Sequence, residues 1–249
     1  TMNFEKIIDD FSNNGLVIID KFLDQDEIRH LKNFADIKYL ENNKNNFFLA
    51  GENFENAYVD KLNIIKKVQK LFFDLGAKLS LKSQDESIYK VLRVVDGKMS
   101  KEEAHRYHFD AHLFTVLLPI YIPNNINNKN GDLVIAPNFR KLSKNVFVNI
   151  MQKFLYQNFI FKKFLHKKIF RDLFNFKQLN LQVGNLYLFN GYRSLHGNLE
   201  INSIDKRATL LIHYYDLFKE SKLVQLNRKI RINKEQNKIK KNKDQSNNL

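Results

Sequence analysis

Residues 108–122 read HFDAHLFTVLLPIYI. The stretch 113–122 is dense in Leu, Val, Ile, Phe and Tyr, and it predicts a buried strand. Just before it, His108 and Asp110 stand two residues apart. On extended chain, positions i and i+2 point to the same side, so one imidazole and one carboxylate can reach one ion. A second imidazole is available at His196, which follows the apolar run Tyr187-Leu188-Phe189 and precedes Gly197. Two imidazoles and a carboxylate on one face of a divalent ion leave its other positions open, which is what a mononuclear Fe(II) site requires. Arg207, eleven residues on, can hold a carboxylate in bidentate fashion, and Thr209 shares its strand face.

The same residues admit plainer readings. A chain with 7 His and 27 acidic residues produces an H-x-D pair by chance. His105 and His112 compete for the ligand role, and Asp110-Ala111-His112 offers the reverse pair. Arg207 also suits a strand-edge salt bridge with Asp205.

Working outward, the chain begins helical. Phe4, Ile7, Ile8 and Phe11 make one face of a helix over 3–12, and Asn13-Asn14-Gly15 ends it. Leu16–Ile19 predicts a short buried strand. Asp24 with Glu27 forms a capping box for a helix through Asp36. Residues 41–53 are polar and read as loop, and 60–80 have helical spacing (Leu62, Ile65, Val68, Leu71, Phe72, Leu75). The period then changes. Strands are expected at Tyr89–Val95, 113–122 and Leu133–Ala136, as two short pieces across Gly184-Asn185 within 180–190, and at 207–215. Turns fall at Asp96-Gly97 and Asn130-Gly131-Asp132. Residues 144–175 return to helical spacing. Helices followed by many short strands indicate an α+β fold, a β-sandwich or barrel with helices packed outside.

Composition narrows the function classes. The 249 residues, 43% hydrophobic, suit one domain with a sizeable core. We read 1–218 as that domain, with a helical insertion at about 141–178, and 219–249 as a basic, partly disordered tail. The absence of cysteine excludes disulfides, thiolate metal sites and cysteine nucleophiles, and fits a reducing compartment. The N-terminal TMNFEKIIDDFSNNG lacks the basic-then-apolar pattern of a secretory signal, so a cytoplasmic location is expected. The net charge of +14 is concentrated: 141–177 holds nine Lys/Arg against one Asp, and 219–249 ten against three acids. The remaining body is close to neutral, which argues against nucleic acid as its partner.

Four stretches, in order and spacing, resemble the phytanoyl-CoA dioxygenase-like branch of the Fe(II)/2-oxoglutarate oxygenases. They are Asn14-Gly15-Leu16-Val17-Ile18-Ile19-Asp20-Lys21-Phe22-Leu23, then His108-Phe109-Asp110, then Asn130-Gly131-Asp132-Leu133 through Pro137-Asn138-Phe139-Arg140-Lys141, then Val183-Gly184-Asn185-Leu186 through His196-Gly197, Asn202 and Arg207. The resemblance covers about residues 4 to 217. It implies a double-stranded β-helix (jelly-roll) core with packed N-terminal helices. It also implies Fe(II) on His108, Asp110 and His196, 2-oxoglutarate with its far carboxylate on Arg207 and Thr209, and O2 as the second co-substrate. Arg93, Tyr192, Arg193 and Asn198 are then candidates to line the substrate pocket. Asp110 stands where halogenating relatives have Gly or Ala, which points to hydroxylation or a related oxidation. The chain departs from the pattern at Pro137-Asn138-Phe139-Arg140, where Gly-Ser-His is usual, at Asn185, usually Asp, and in the basic insertion.

Residues 144–175 alternate Phe, Leu and Ile with Lys. They suit helices packed on the barrel, a lid over the site, or a peripheral contact with anionic membrane. The function expected is a hydroxylating dioxygenase of a small-molecule or lipid-linked metabolite. The alternatives are a non-catalytic metal- or ligand-binding barrel, and a basic membrane- or nucleic-acid-binding protein. Oligomeric state is not written in the sequence.

Overall fold

The computed structural model describes residues 4–50, 54, 63–82, 88–123, 129–222, 224–226, 229–230 and 233. Leu62, residues 51–53 and the run Lys238 to Lys243 lie outside them. The chain opens with α1 (Phe4–Asn14), β1 (Leu16–Ile19), α2 (Gln25–Glu41), β2 (Phe47–Ala50) and α3 (Asn63–Lys78). β3 (Tyr89–Asp96) leads through a 3-10 turn at Gly97–Met99 into the single turn α4 (Ser100–Glu103). β4 (His112–Tyr121) and β5 (Leu133–Ala136) follow, then three short helices, α5 (Val146–Gln157), α6 (Phe159–Leu165) and α7 (Lys168–Leu173). β6 (Lys177–Leu179), β7 (Leu186–Asn190), β8 (Leu195–Asn198) and β9 (Lys206–Asp216) complete the core.

Two antiparallel sheets form, a six-stranded one in the order β1-β7-β4-β9-β3-β2 and a three-stranded one in the order β6-β5-β8. This is the expected double-stranded β-helix. Alternation sorts the side chains. On β4 and β9, Phe114, Val116, Leu118, Ala208, Leu210, Ile212 and Tyr214 turn outward to the helices and join one large core. Phe72 from α3 stacks there on both Phe114 and Tyr214, with centroids 6.0 and 5.5 Å apart. Burying an aromatic side chain this way is worth about 1.5–3 kcal/mol. The opposite faces, with Leu117, Leu133, Ile135, Tyr187 and Phe189, meet between the sheets. Thr115, Arg207, Thr209 and His213 share that inner side by the same alternation.

Asp24 accepts from Glu27 N–H at 2.8 Å, and Glu27 returns the bond to Asp24 N–H. This capping box starts α2, which runs on to Glu41 rather than stopping at Asp36. Three expectations need correction. β2 lies inside the stretch read as loop, because Phe47 packs into the core and pairs with Val94. β1 is half-exposed rather than buried: it ends the large sheet, and Ile18 is 43% exposed. Of the two strands placed across Gly184-Asn185, only the second forms within 180–190. β6 sits earlier, in the small sheet, and β7 belongs to the large one. Leu195–Asn198, which was not read as a strand, is β8.

The insertion covers the outer face of the small sheet. Leu165, fully buried, packs with Tyr107, Phe109, Val134, Ala136 and Leu195. The departure at 137–140 explains how it is held. Asn138 takes a left-handed φ of 50°, and Arg140 is buried between the rings of Phe109 and Tyr192, 4.0 and 3.9 Å from their centroids. Arg140 Nε donates to Tyr192 O, and its Nη1 donates to Asn149 and Gln152 on α5.

Candidate metal centre

β8 and the segment before β4 bring the two distant histidines together. His108 and His196 face each other as a β-bridge: His108 N–H donates to His196 O at 2.8 Å, and His196 N–H to His108 O at 3.1 Å. His108 Nδ1 lies 2.8 Å from Arg106 O, and His196 Nδ1 lies 3.0 Å from Ser194 O. A carbonyl only accepts, so each Nδ1 carries a proton and Nε2 is the ring nitrogen that each histidine turns toward Asp110. Those Nε2 atoms lie 3.5 and 3.6 Å from Asp110 Oδ1. One ligand atom from each of the three residues falls within 4.8 Å of the others.

Asp110 is fixed from behind. Its N–H donates to Gly191 O at 3.0 Å, and its Oδ2 accepts from Thr115 Oγ1 at 2.6 Å. Thr115 sits opposite His213 in the β4–β9 register, and His213 Nδ1 is 3.0 Å from the same hydroxyl. A Cβ on Gly191 would lie 2.2 Å from Thr115 Oγ1 and 2.5 Å from Asp110 Oδ2, so only glycine lets this carboxylate settle there. Burial alone would favour neutral Asp110. The imidazoles of His196, His108 and His213 outweigh it and hold the carboxyl well below the usual range. Burial at the base of the cavity, then the neighbouring His196, push His108 down to about 4. Among the described residues Asp110 has ion-pair contacts with imidazoles only, with no Lys or Arg. A carboxylate facing the Nε2 atoms of two imidazoles fits a divalent cation, the two-histidine, one-carboxylate donor set of Fe(II).

Arg207 is buried on β9, opposite Val95. Its Nη1 donates to Gly131 O at 2.9 Å, and its Nε has no hydrogen-bond partner. Burial, and after it the nearby Arg93, lower it to about 9, with Glu103 opposing. A buried guanidinium with an unspent donor fits a carboxylate ligand. Gly131 makes this possible: it turns with φ 72°, and a Cβ there would come within 3.0 Å of Arg207 Cδ. Thr209 is buried two residues on and pairs with Arg93.

A cavity of about 1040 Å³ opens onto His108, Asp110 and His213. Phe47, Phe48, Val91 and Leu211 form apolar wall, and Arg93 lines it while ion-paired to Glu103. Of the four pocket candidates Arg93 alone is found there. Tyr192 instead lies in the core beneath Arg140 and donates to Ser143 O. Arg193 Nε donates to Arg140 O, and Asn198 Nδ2 donates to Gly131 O, so both brace the fold. Of the rival histidines, His112 lines the cavity and stacks on both Tyr89 and His213, outside the three-residue cluster, and His105 packs on His166. The first part of the tail, at Lys219, Lys222, Gln225, Leu226 and Lys229, lines the cavity, and its described residues from Lys222 onward are helical.

The sequence reading missed Thr115, His213 and Gly191. Thr115 and His213 could have been found only by pairing β4 with β9 in register. No protein-family model matches the chain, and no curated protein matches it. Solved structures do. A prolyl-4-hydroxylase from Pseudomonas putida aligns at TM-score 0.57 and 13% identity, over 86% of this chain and 98% of that one. The non-heme alpha-ketoglutarate-dependent epimerase SnoN of nogalamycin biosynthesis aligns at 0.58 and 12%, over 86% and 83%. A Trichoplax adhaerens prolyl hydroxylase, solved with a hypoxia inducible factor peptide, aligns at 0.52 and 14%, over 86% and 89%. At these identities the likeness establishes the fold, and the chain is built as those oxygenases are, on a double-stranded β-helix.

Proposed function

We propose that the protein is an Fe(II)- and 2-oxoglutarate-dependent dioxygenase that hydroxylates a small-molecule or lipid-linked metabolite. The observation that carries this reading is the convergence of His108 Nε2, His196 Nε2 and Asp110 Oδ1 on one point in a fold that also buries Arg207 with an unspent donor. His108, Asp110 and His196 would hold Fe(II). Arg207 and Thr209 would hold the far carboxylate of 2-oxoglutarate. Bound iron, with 2-oxoglutarate and O2, would supply the oxidising chemistry.

The chain's own residues have definite tasks. Arg106 O and Ser194 O hold the two Nδ1–H groups, which orients each ring with Nε2 toward the metal position. Thr115 and His213 hold one carboxylate oxygen and leave the other for the ion. Arg207 stays cationic at neutral pH despite its burial and orients a dicarboxylate. The apolar wall of Phe47, Phe48 and Val91 suits a substrate with an apolar body, and Lys219, Lys222 and Lys229 suit an anionic end. The solved structures of like fold include hydroxylases, an epimerase and a carbocyclase. The choice of hydroxylation and of the phytanoyl-CoA dioxygenase-like branch therefore rests on Asp110 and on the motif order.

The test is succinate formation from 2-oxoglutarate with Fe(II), ascorbate and O2, alongside direct 2-oxoglutarate binding. Wild type forms succinate slowly even without substrate. His108→Ala loses turnover, and Arg207→Ala loses both turnover and 2-oxoglutarate binding. Metal binding without turnover or 2-oxoglutarate binding in the wild type would overturn the enzyme in favour of a metal-binding barrel.

A further inference from the structure

Helix α5 turns most of its apolar residues outward, and only Val146 and Tyr156 of them pack inward. An amphipathic helix on a soluble domain ordinarily buries its apolar stripe. Here Asn149 is buried and Gln152 half-buried, both bonded to Arg140. The stripe Phe147, Ile150, Met151, Phe154, Leu155 faces solvent, with Phe154 73% exposed. The next two helices continue it: Phe159 is 79% exposed, and Ile160, Ile169 and Leu173 are also largely exposed. Apolar surface of this extent on one short segment marks a contact face rather than scatter.

The charge around it selects the contact. Residues 141–177 carry nine Lys/Arg against one Asp. Lys144, Lys163 and Lys167 are exposed beside the apolar side chains. A second copy would bring the same positive face against itself, which like charge opposes. No residue of α5, α6 or α7 lines the large cavity, so these helices do not act as its lid. Among the described residues no helix is long and apolar enough to cross a membrane. Phenylalanines set among lysines suit the boundary between anionic headgroups and acyl chains, where burial of the rings and attraction of the charges add together.

We propose that α5, α6 and α7 dock the protein peripherally on an anionic lipid surface, with Phe147, Phe154 and Phe159 entering the interface and the lysines bound to headgroups.

Co-sedimentation of the full chain with vesicles tests this. Binding is expected to vesicles of phosphatidylglycerol and phosphatidylcholine and not to phosphatidylcholine alone, and to weaken as salt rises. Neutralising Lys144, Lys163 and Lys167 to Gln lowers affinity about fivefold per charge. The triple variant Phe147→Ser, Phe154→Ser, Phe159→Ser abolishes binding. These side chains face solvent, so its thermal midpoint stays at or above that of wild type, which separates lost docking from lost folding. No binding to anionic vesicles, or equal binding to neutral ones, overturns the proposal. So does a wild-type dimer in light scattering that Phe154→Ser converts to monomer, because the face would then be a self-interface.

Discussion

Thr115 Oγ1 donates to Asp110 Oδ2 at 2.6 Å while the other oxygen, Oδ1, faces the imidazoles of His108 and His196. One hydroxyl therefore decides which carboxylate oxygen is free. Because Thr115 also meets His213 Nδ1 at 3.0 Å, its own orientation is fixed by the neighbouring strand. Thr115→Val keeps the shape and removes the bond. Loss of such a support typically lowers metal affinity about 10–100-fold. Anaerobic titration with Co(II), read by its visible spectrum, is expected to show that loss, with Thr115→Ser restoring most of the affinity. Unchanged affinity in the valine variant would remove Thr115 from the site's support.

Gly191 makes a sharper case. A methyl group there would overlap both Thr115 Oγ1 and Asp110 Oδ2, so one of them must move. Gly191→Ala is expected to cost about 1–3 kcal/mol of stability through overpacking. Metal binding should suffer more, because Asp110 is one of the three proposed ligands and Thr115 holds it. Gly76 in α3 provides the control, since a Cβ there meets nothing within 4 Å. Gly76→Ala is expected to raise stability by up to about 1 kcal/mol with metal binding unchanged. Thermal melts with and without Co(II) separate the two.

Much of this arrangement can be read from local pattern. The helical face of Phe4, Ile8 and Phe11, the capping box at Asp24 and Glu27, and the apolar runs of β4, β5 and β9 each declare themselves over a few residues. His108, Asp110 and His196 are legible because their residue types are chemically specific. What was lost depends on distance in sequence. β2 is only Phe-Phe-Leu-Ala amid asparagines, and its strand character comes from pairing with β3. β8 reads Leu-His-Gly-Asn, without β-branched residues, and is a strand because β5 and His108 flank it. Tyr192 and Arg193 look like pocket residues by position, yet Arg140, about fifty positions earlier, holds both inside the fold. The tail's charge suggested a detached appendage, and only the folded chain brings Lys219 and Lys222 to the cavity wall.

Leu165 tests how the insertion is held. It is fully buried at the end of α6 against Tyr107 and Phe109, while Phe159, Ile160 and Phe164 of the same helix face solvent. Its carbonyl also accepts from Arg171 Nη1 at 3.1 Å. Leu165→Ala is expected to cost about 2–5 kcal/mol, the range for a buried leucine that leaves a cavity. Phe164→Ala, one residue away and 49% exposed, is expected to cost far less. Urea unfolding of the two variants checks the contrast. Limited proteolysis should cut the 146–173 region first in the leucine variant.

His105 gives the protein a pH dependence. Its ring lies 4.5 Å from that of His166, and its buried Nδ1 has no hydrogen-bond partner. Burial, then the fields of His166 and Arg171, lower its pKa to about 4 from an ordinary 6.5. The sign follows from linkage: the unfolded chain takes up the proton first as pH falls. The stabilisation is therefore fully present above pH 6.5 and drains away between about 6.5 and 4. The ring is only partly enclosed, so solvent screening reduces the effect to about 1 kcal/mol. His105→Gln cannot be protonated in this range, and its stability is expected to fall less steeply from pH 7 to pH 4.5 than that of wild type. Urea midpoints at the two pH values measure the difference. Parallel slopes would mean that His105 is protonated in the folded protein as easily as in the unfolded chain. Because His105 N–H also donates to Asn198 O at the end of β8, acid is expected to loosen first the strand that carries His196.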